Sequence, residues 1–242
     1  MKKTLISSIL ILLVLSVTGC NNKQSDEDAP IIDNSGFKNI NENELFEIHT
    51  DAQKTFLEYE GSYAKMPKSM FPDGSKHLSD SKPITLTWNY EAQDGKEVEK
   101  YSVIYGQNKD LSDGYRVDGS AEKDEISFYN PYLGRNYYQL IATYTDGTTD
   151  ETPIRHFEVD TTYPRNLTIA GMTNCRDIGG RKLVDGGTIK QGLIFRTSGK
   201  NQNGSITDAT KEEMIGHLKL KNEINLAGDS SSYNLKLDGT TL

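Results

Sequence analysis

Along this chain the spacing of apolar residues changes character several times, and each change predicts a different kind of element. Residues 5–17 are an apolar run interrupted only by serines, and residues 21–35 are rich in Asn, Asp, Glu, Lys, Gln and Ser with little to bury. Leu45, Ile48, Ala52, Phe56 and Tyr59 then recur every three to four positions, which predicts an amphipathic helix over residues 44–60. Pro67, Pro72 and Gly74 interrupt that pattern. From about residue 82 to 159 the period falls to two. Ile84-Thr85-Leu86-Thr87-Trp88, Tyr101-Ser102-Val103-Ile104-Tyr105, Ile126-Ser127-Phe128 and the runs 138–144 and 154–159 each read as a strand with one buried face. Asp94-Gly95, Asp113-Gly114 and Asp146-Gly147 supply the turns between them.

Short alternating strands at this spacing predict an antiparallel β-sandwich with Trp88 in its core. Trp88 on an early strand, with Gly134-Arg135-Asn136-Tyr137-Tyr138 ahead of a long apolar strand, resembles a fibronectin type III or related immunoglobulin-like module; the second segment resembles its tyrosine corner. Tyr101, Tyr105, Tyr137 and Tyr144 form a stripe that fits a half-buried sheet surface. Glycan or peptide binding by the same surface is the other reading of that stripe.

Beyond residue 163 the texture changes again. Asp185-Gly186-Gly187 predicts a hairpin turn, with residues 188–196 returning as a strand. Thr207 or Asp208 can cap a helix running through Leu218, with Met214, Ile215 and Leu218 facing inward. Glu223-Ile224-Asn225-Leu226 reads as a buried strand, so the order strand, helix, strand predicts the start of an α/β domain.

The same stretch carries Asn174-Cys175-Arg176-Asp177-Ile178-Gly179-Gly180 and, after the hairpin, Gly192-Leu193-Ile194-Phe195-Arg196-Thr197-Ser198. Together these resemble the entry segment of a bacterial family of lipoprotein and secreted protein tyrosine phosphatases, over residues 163–226. The resemblance implies hydrolysis of phosphate monoesters, phosphotyrosine above all, through a cysteinyl-phosphate intermediate and without cofactor or metal. It also implies that Arg176, Asp177 and Arg196 belong to a polar scaffold behind the phosphate pocket, with Asn174, Gly179 and Gly180 shaping the loop. A buried Arg and Asp there should pair.

The chemistry does not follow the resemblance. The family's nucleophile lies in a downstream His-Cys-x5-Arg loop, and these 242 residues contain none. Asn225-Leu226-Ala227 stands where the family has Asp-Leu-Arg, and an amide cannot act as general acid. Cys175 and Arg181 have the Cys-x5-Arg spacing, but Asn174 precedes the cysteine and a hairpin replaces the helix that would stabilise a thiolate. No catalytic residue is therefore assigned. The expectation is an inactive, truncated or degenerate phosphatase, with a pseudophosphatase or a surface adhesion lipoprotein as alternatives.

Composition settles the setting. Lys2 and Lys3, the apolar run and Val17-Thr18-Gly19-Cys20 have the form of a lipoprotein signal peptide, with Cys20 as lipidation site. A 13-residue helix spans roughly 20 Å, short of the ~30 Å hydrocarbon core. The expected location is extracytoplasmic, lipid-anchored at the bacterial cell surface. Losing Lys2 and Lys3 with the leader takes the formal charge from −8 to −10, which disfavours nucleic acid as a partner. His49, His77, His156 and His217 have no ligand spacing. The expected architecture is α+β: signal peptide 1–19, tether 20–43, short helix and linker 44–80, antiparallel β-sandwich 81–160, and the incomplete N-terminal half of an α/β cysteine-phosphatase domain at 161–242.

Overall fold

A computed structural model describes residues 32–42, 44–62, 65–67, 80–197 and 206–224. Cys20 and the expected signal peptide lie outside the described residues, and so do Asn225 and Leu226. The fold is mostly β-sheet with few helices. From Asp33 onward the described residues pack as one compact unit.

The largest sheet has six strands. β5 (Val98–Gly106) and β8 (Gly134–Tyr144) are its long central pair, antiparallel, with β6 (Tyr115–Ser120) outside β5. On the far side of β8 lie β9 (Thr149–Glu151) and β10 (Arg155–Val159), and β2 (Leu45–Phe46) runs parallel to β10 at the edge. Two antiparallel pairs face the same core: β3 (Ile84–Thr87) with β7 (Glu125–Phe128), and β1 (Phe37–Lys38) with β4 (Asn89–Tyr90). Alternation places Ile84 and Leu86, Ile126 and Phe128, and Tyr138, Leu140 and Ala142 inward in one cluster with Trp88, Val103 and Phe157. Trp88 meets Phe37 and Tyr101 edge-on, at 5.6 and 5.3 Å between ring centroids.

Several expectations are corrected. Residues 44–50 are not helical. Thr50 and Gln53 form a reciprocal capping box, so the helix α1 begins only at Asp51 and ends at Leu57. Ahead of that cap, Leu45 and Phe46 pair with Glu158 and Val159, and Ile48 enters the core as irregular chain. Phe37 and Ile48 thus extend the core beyond residues 81–160. The tyrosine stripe is more buried than a half-covered surface, since Tyr101, Tyr105 and Tyr144 are all buried and Tyr137 is intermediate. At the expected tyrosine corner, Tyr138 donates its hydroxyl to Glu42 Oε2 at 2.8 Å rather than to backbone. Asn136 closes that bend instead, bonding Tyr132 N and O and Gly134 O.

In the C-terminal part, β11 (Asn166–Leu167), β12 (Cys175–Asp177) and β13 (Phe195–Arg196) form a small antiparallel sheet. The predicted strand over 188–196 is confined to β13. Thr207 caps α2 (Asp208–Lys211), which continues as a π-helical turn, Glu212–His217. Met214 and Leu218 face the second core of Leu167, Ile169, Met172 and Cys175, whereas Ile215 is exposed. Residues 221–224 form no strand and Ile224 is exposed, so among the described residues the helix is not followed by the strand that an α/β unit requires.

Candidate functional site

The motif of residues 174–180 folds as a strand and a tight turn. Asn174 enters with φ 55° and Gly180 leaves with φ 81°, both left-handed conformations that Asn and Gly tolerate best. Between them β12 alternates: Cys175 and Asp177 point into the protein, and Arg176 lies on the opposite face with its guanidinium 6.0 Å from the Phe56 ring.

Asp177 is fully buried and accepts from three donors. Gly179 N and Gly192 N each lie 2.7 Å away, and Arg165 Nη1 at 3.0 Å. Arg165 is equally buried; its Nε and Nη2 donate to the carbonyls of Pro131 and Asn130, and its plane lies over the Tyr132 ring at 4.2 Å. A buried ion pair needs further hydrogen bonds beyond its own, and here every nitrogen of Arg165 and both oxygens of Asp177 have a partner. The expected Arg–Asp pairing is present, but the arginine is Arg165, outside the motif. Arg196 is exposed and sits across from Arg176 in the β12–β13 register. Gly179 is obligatory on steric grounds: a Cβ there would lie 2.3 Å from Gln191 Cα and 2.5 Å from Lys190 O.

Cys175 is buried, with Sγ 3.3 Å from Thr197 Oγ1 and 3.6 Å from the Thr173 carbonyl. Burial pushes its thiol pKa up, opposite to what a nucleophile needs. Arg181 is exposed, at the base of a hairpin whose strands meet at Lys182 and Thr188. Cys175, Asp177 and Arg165 are therefore all buried, Cys175 in the second core and the ion pair among backbone N–H and C=O groups.

A second polar cluster, not assigned from the sequence, joins the two cores. His217 stacks on Tyr115 at 4.2 Å, with Nε2 3.2 Å from Tyr105 Oη and Nδ1 2.8 Å from Glu213 Oε1. Asn130 donates to Glu213 and to the Thr168 carbonyl and accepts from Thr168 N. Its only sequence signals were the i, i+4 spacing of Glu213 and His217 and the polar residues at the end of β7.

Comparison with known proteins matches the stretch of chain that carries the motif. Residues 167–232, roughly a quarter of the chain, match the model of the tyrosine phosphatase family. No curated protein matches. Among solved structures the chain is similar to the Cu(I) form of a chitin-active lytic polysaccharide monooxygenase determined by NMR, at 18% identity and a TM-score of 0.24. The likeness covers 32% of this chain and 54% of that one, about half its length, and at that TM-score it carries no argument.

Proposed function

We propose that this chain is an extracytoplasmic lipoprotein, anchored through Cys20, in which a fibronectin-like β-sandwich presents the entry segment of a tyrosine-phosphatase-type domain. Within these 242 residues that segment is a scaffold and does not turn over phosphate monoesters. The observation that carries the reading is Asp177: the motif's carboxylate is sealed by Arg165 and two backbone N–H groups, so it braces the loop and is closed to substrate. The family match over 167–232 supports the assignment of the segment. Phosphoryl transfer to cysteine needs a stabilised thiolate and a nest of N–H groups around the phosphate oxygens. Cys175 has neither.

The test is turnover of p-nitrophenyl phosphate and of a phosphotyrosine peptide by wild type and Cys175→Ser. Both should be silent. Vanadate-sensitive turnover lost in Cys175→Ser would make Cys175 a nucleophile and overturn the scaffold assignment. The anchor is tested separately: Cys20→Ala should move the chain from the membrane to the soluble fraction and abolish fatty-acid labelling.

A further inference from the structure

We propose that the hairpin spanning residues 181–194 is a docking finger whose partner is an anionic lipid surface. Its ladder runs from Gly180 N to Ile189 O (2.8 Å), through Ile189 N to Arg181 O (2.9 Å), to Leu183 N and Gly187 O (2.7 Å) at the tip. The base is fixed. Gly192 N donates to Asp177, and the Gln191 side chain accepts from Leu133 N and donates to Leu133 O. A finger already held in one conformation loses little further freedom when it docks.

What it presents is unusual for a water-facing loop. Val184 at the tip is fully exposed, Leu183 is 47% exposed, and Leu193 and Ile194 are 64% and 63% exposed. Residues 181–196 carry four exposed cations, Arg181, Lys182, Lys190 and, on the adjoining β13, Arg196, against the single carboxylate Asp185. The rest of the chain is acidic enough to bring the formal net charge to −8. Cations are therefore concentrated in the same short stretch of chain as these exposed apolar side chains.

That combination fits a negatively charged bilayer, where apolar side chains enter the headgroup boundary and Lys and Arg remain among the phosphates. It fits a second copy poorly, because an isologous contact would set the four cations against themselves. It also differs from the core of a protein interface, which is depleted of charge. The proposal depends neither on the phosphatase-type reading nor on lipid at Cys20.

Residues 33–242 contain every described strand pairing and both cores, and this segment, without leader or lipid, is the one to test by co-sedimentation with vesicles. It should bind phosphatidylglycerol-containing vesicles, release in high salt, and ignore pure phosphatidylcholine. Lys182→Gln and Lys190→Gln should each lower partitioning roughly fivefold. Val184→Asp should lower it further with an unchanged circular dichroism spectrum, and Lys123→Gln, on an exposed turn elsewhere, should leave it unchanged. Absence of binding, equal binding to both vesicle types, or binding insensitive to Val184→Asp would overturn the proposal. Self-association abolished by Val184→Asp would overturn it too, and would reassign the finger to a second copy of the chain.

Discussion

At the scale of single residues, the behaviour of this protein turns on buried polar groups whose partners lie far away in sequence. Arg165 and Asp177 are both inaccessible to solvent, and breaking such a pair leaves a charge stranded. Asp177→Ala should therefore cost about 3–5 kcal/mol in urea unfolding. Arg165→Met should cost somewhat less, since Asp177 keeps two N–H donors. The double variant should cost less than the sum of the two, and strict additivity would show that the pair is not energetically coupled. His49 makes the opposite kind of case. Its Nε2–H donates to the Pro164 carbonyl at 2.8 Å, while Nδ1 is buried with no partner. Burial lowers its pKa, so the unfolded chain binds the proton more tightly than the folded one. Stability from this residue is complete above the ordinary imidazole value of about 6.5 and is lost as pH falls below it. His49→Gln should remove that part of the acid slope, and an unchanged slope between pH 7 and 5 would exclude His49 as its source.

At the scale of elements, period-two alternation locates β3, β5, β7, β8 and β10, because each has one face in the core and the sequence records that directly. β6 is harder to see since Asp118 and Gly119 imitate a turn, yet Asp118 is held there by Lys100, Arg116 and Ser102. The 44–60 helix fails for a different reason. Leu45 and Ile48 satisfy a helical spacing, but Thr50 caps a helix that starts only at Asp51, and the edge of β10 offers Leu45 and Phe46 backbone partners. The motif of residues 174–180 is legible as a motif. Its ion-pair partner is not, since nothing local to Arg165 reveals that Pro131, Asn130 and Tyr132 will surround it. The hairpin and the turn that leads into it supply a contrast between two glycines. Gly179→Ala would drive a Cβ into the backbone at Lys190 and Gln191 and should cost about 3 kcal/mol or more, the upper end for overpacking. Gly186→Ala meets nothing within 4 Å and bears only the left-handed φ of 86°, about 1–2 kcal/mol. Equal melting points for the two variants would show that the approach at Gly179 relaxes freely.

At the scale of the whole molecule, the β-rich part and the phosphatase-like part depend on each other. The second core of Leu167, Ile169, Met172, Cys175, Met214 and Leu218 is small, and its polar supports come from outside. Asn130 holds Thr168 and Glu213, Tyr105 and Tyr115 hold His217, and residues 130–132 enclose Arg165. Residues 161–242 expressed alone would expose Arg165 and lose these supports, so they should give a poorly dispersed NMR spectrum. The β-rich part has a reciprocal need at its other end. Residues 81–160 alone would lack Phe37 and Ile48, each worth about 1.5–3 kcal/mol when buried, and would leave β4 and β10 without their outer partners. Against a total stability of about 5–15 kcal/mol for a domain, that loss is decisive. Urea midpoints should therefore rise in the order 81–160, 33–160, 33–242, with the first fragment largely unfolded. Trp88→Ala, removing the ring between Phe37 and Tyr101, should cost about 3–5 kcal/mol in 33–242 and leave 33–160 unfolded. A stable, well-dispersed 161–242 fragment would sink this dependence, because it would mean that the segment closes its core without Asn130, Tyr105 and the enclosure of Arg165.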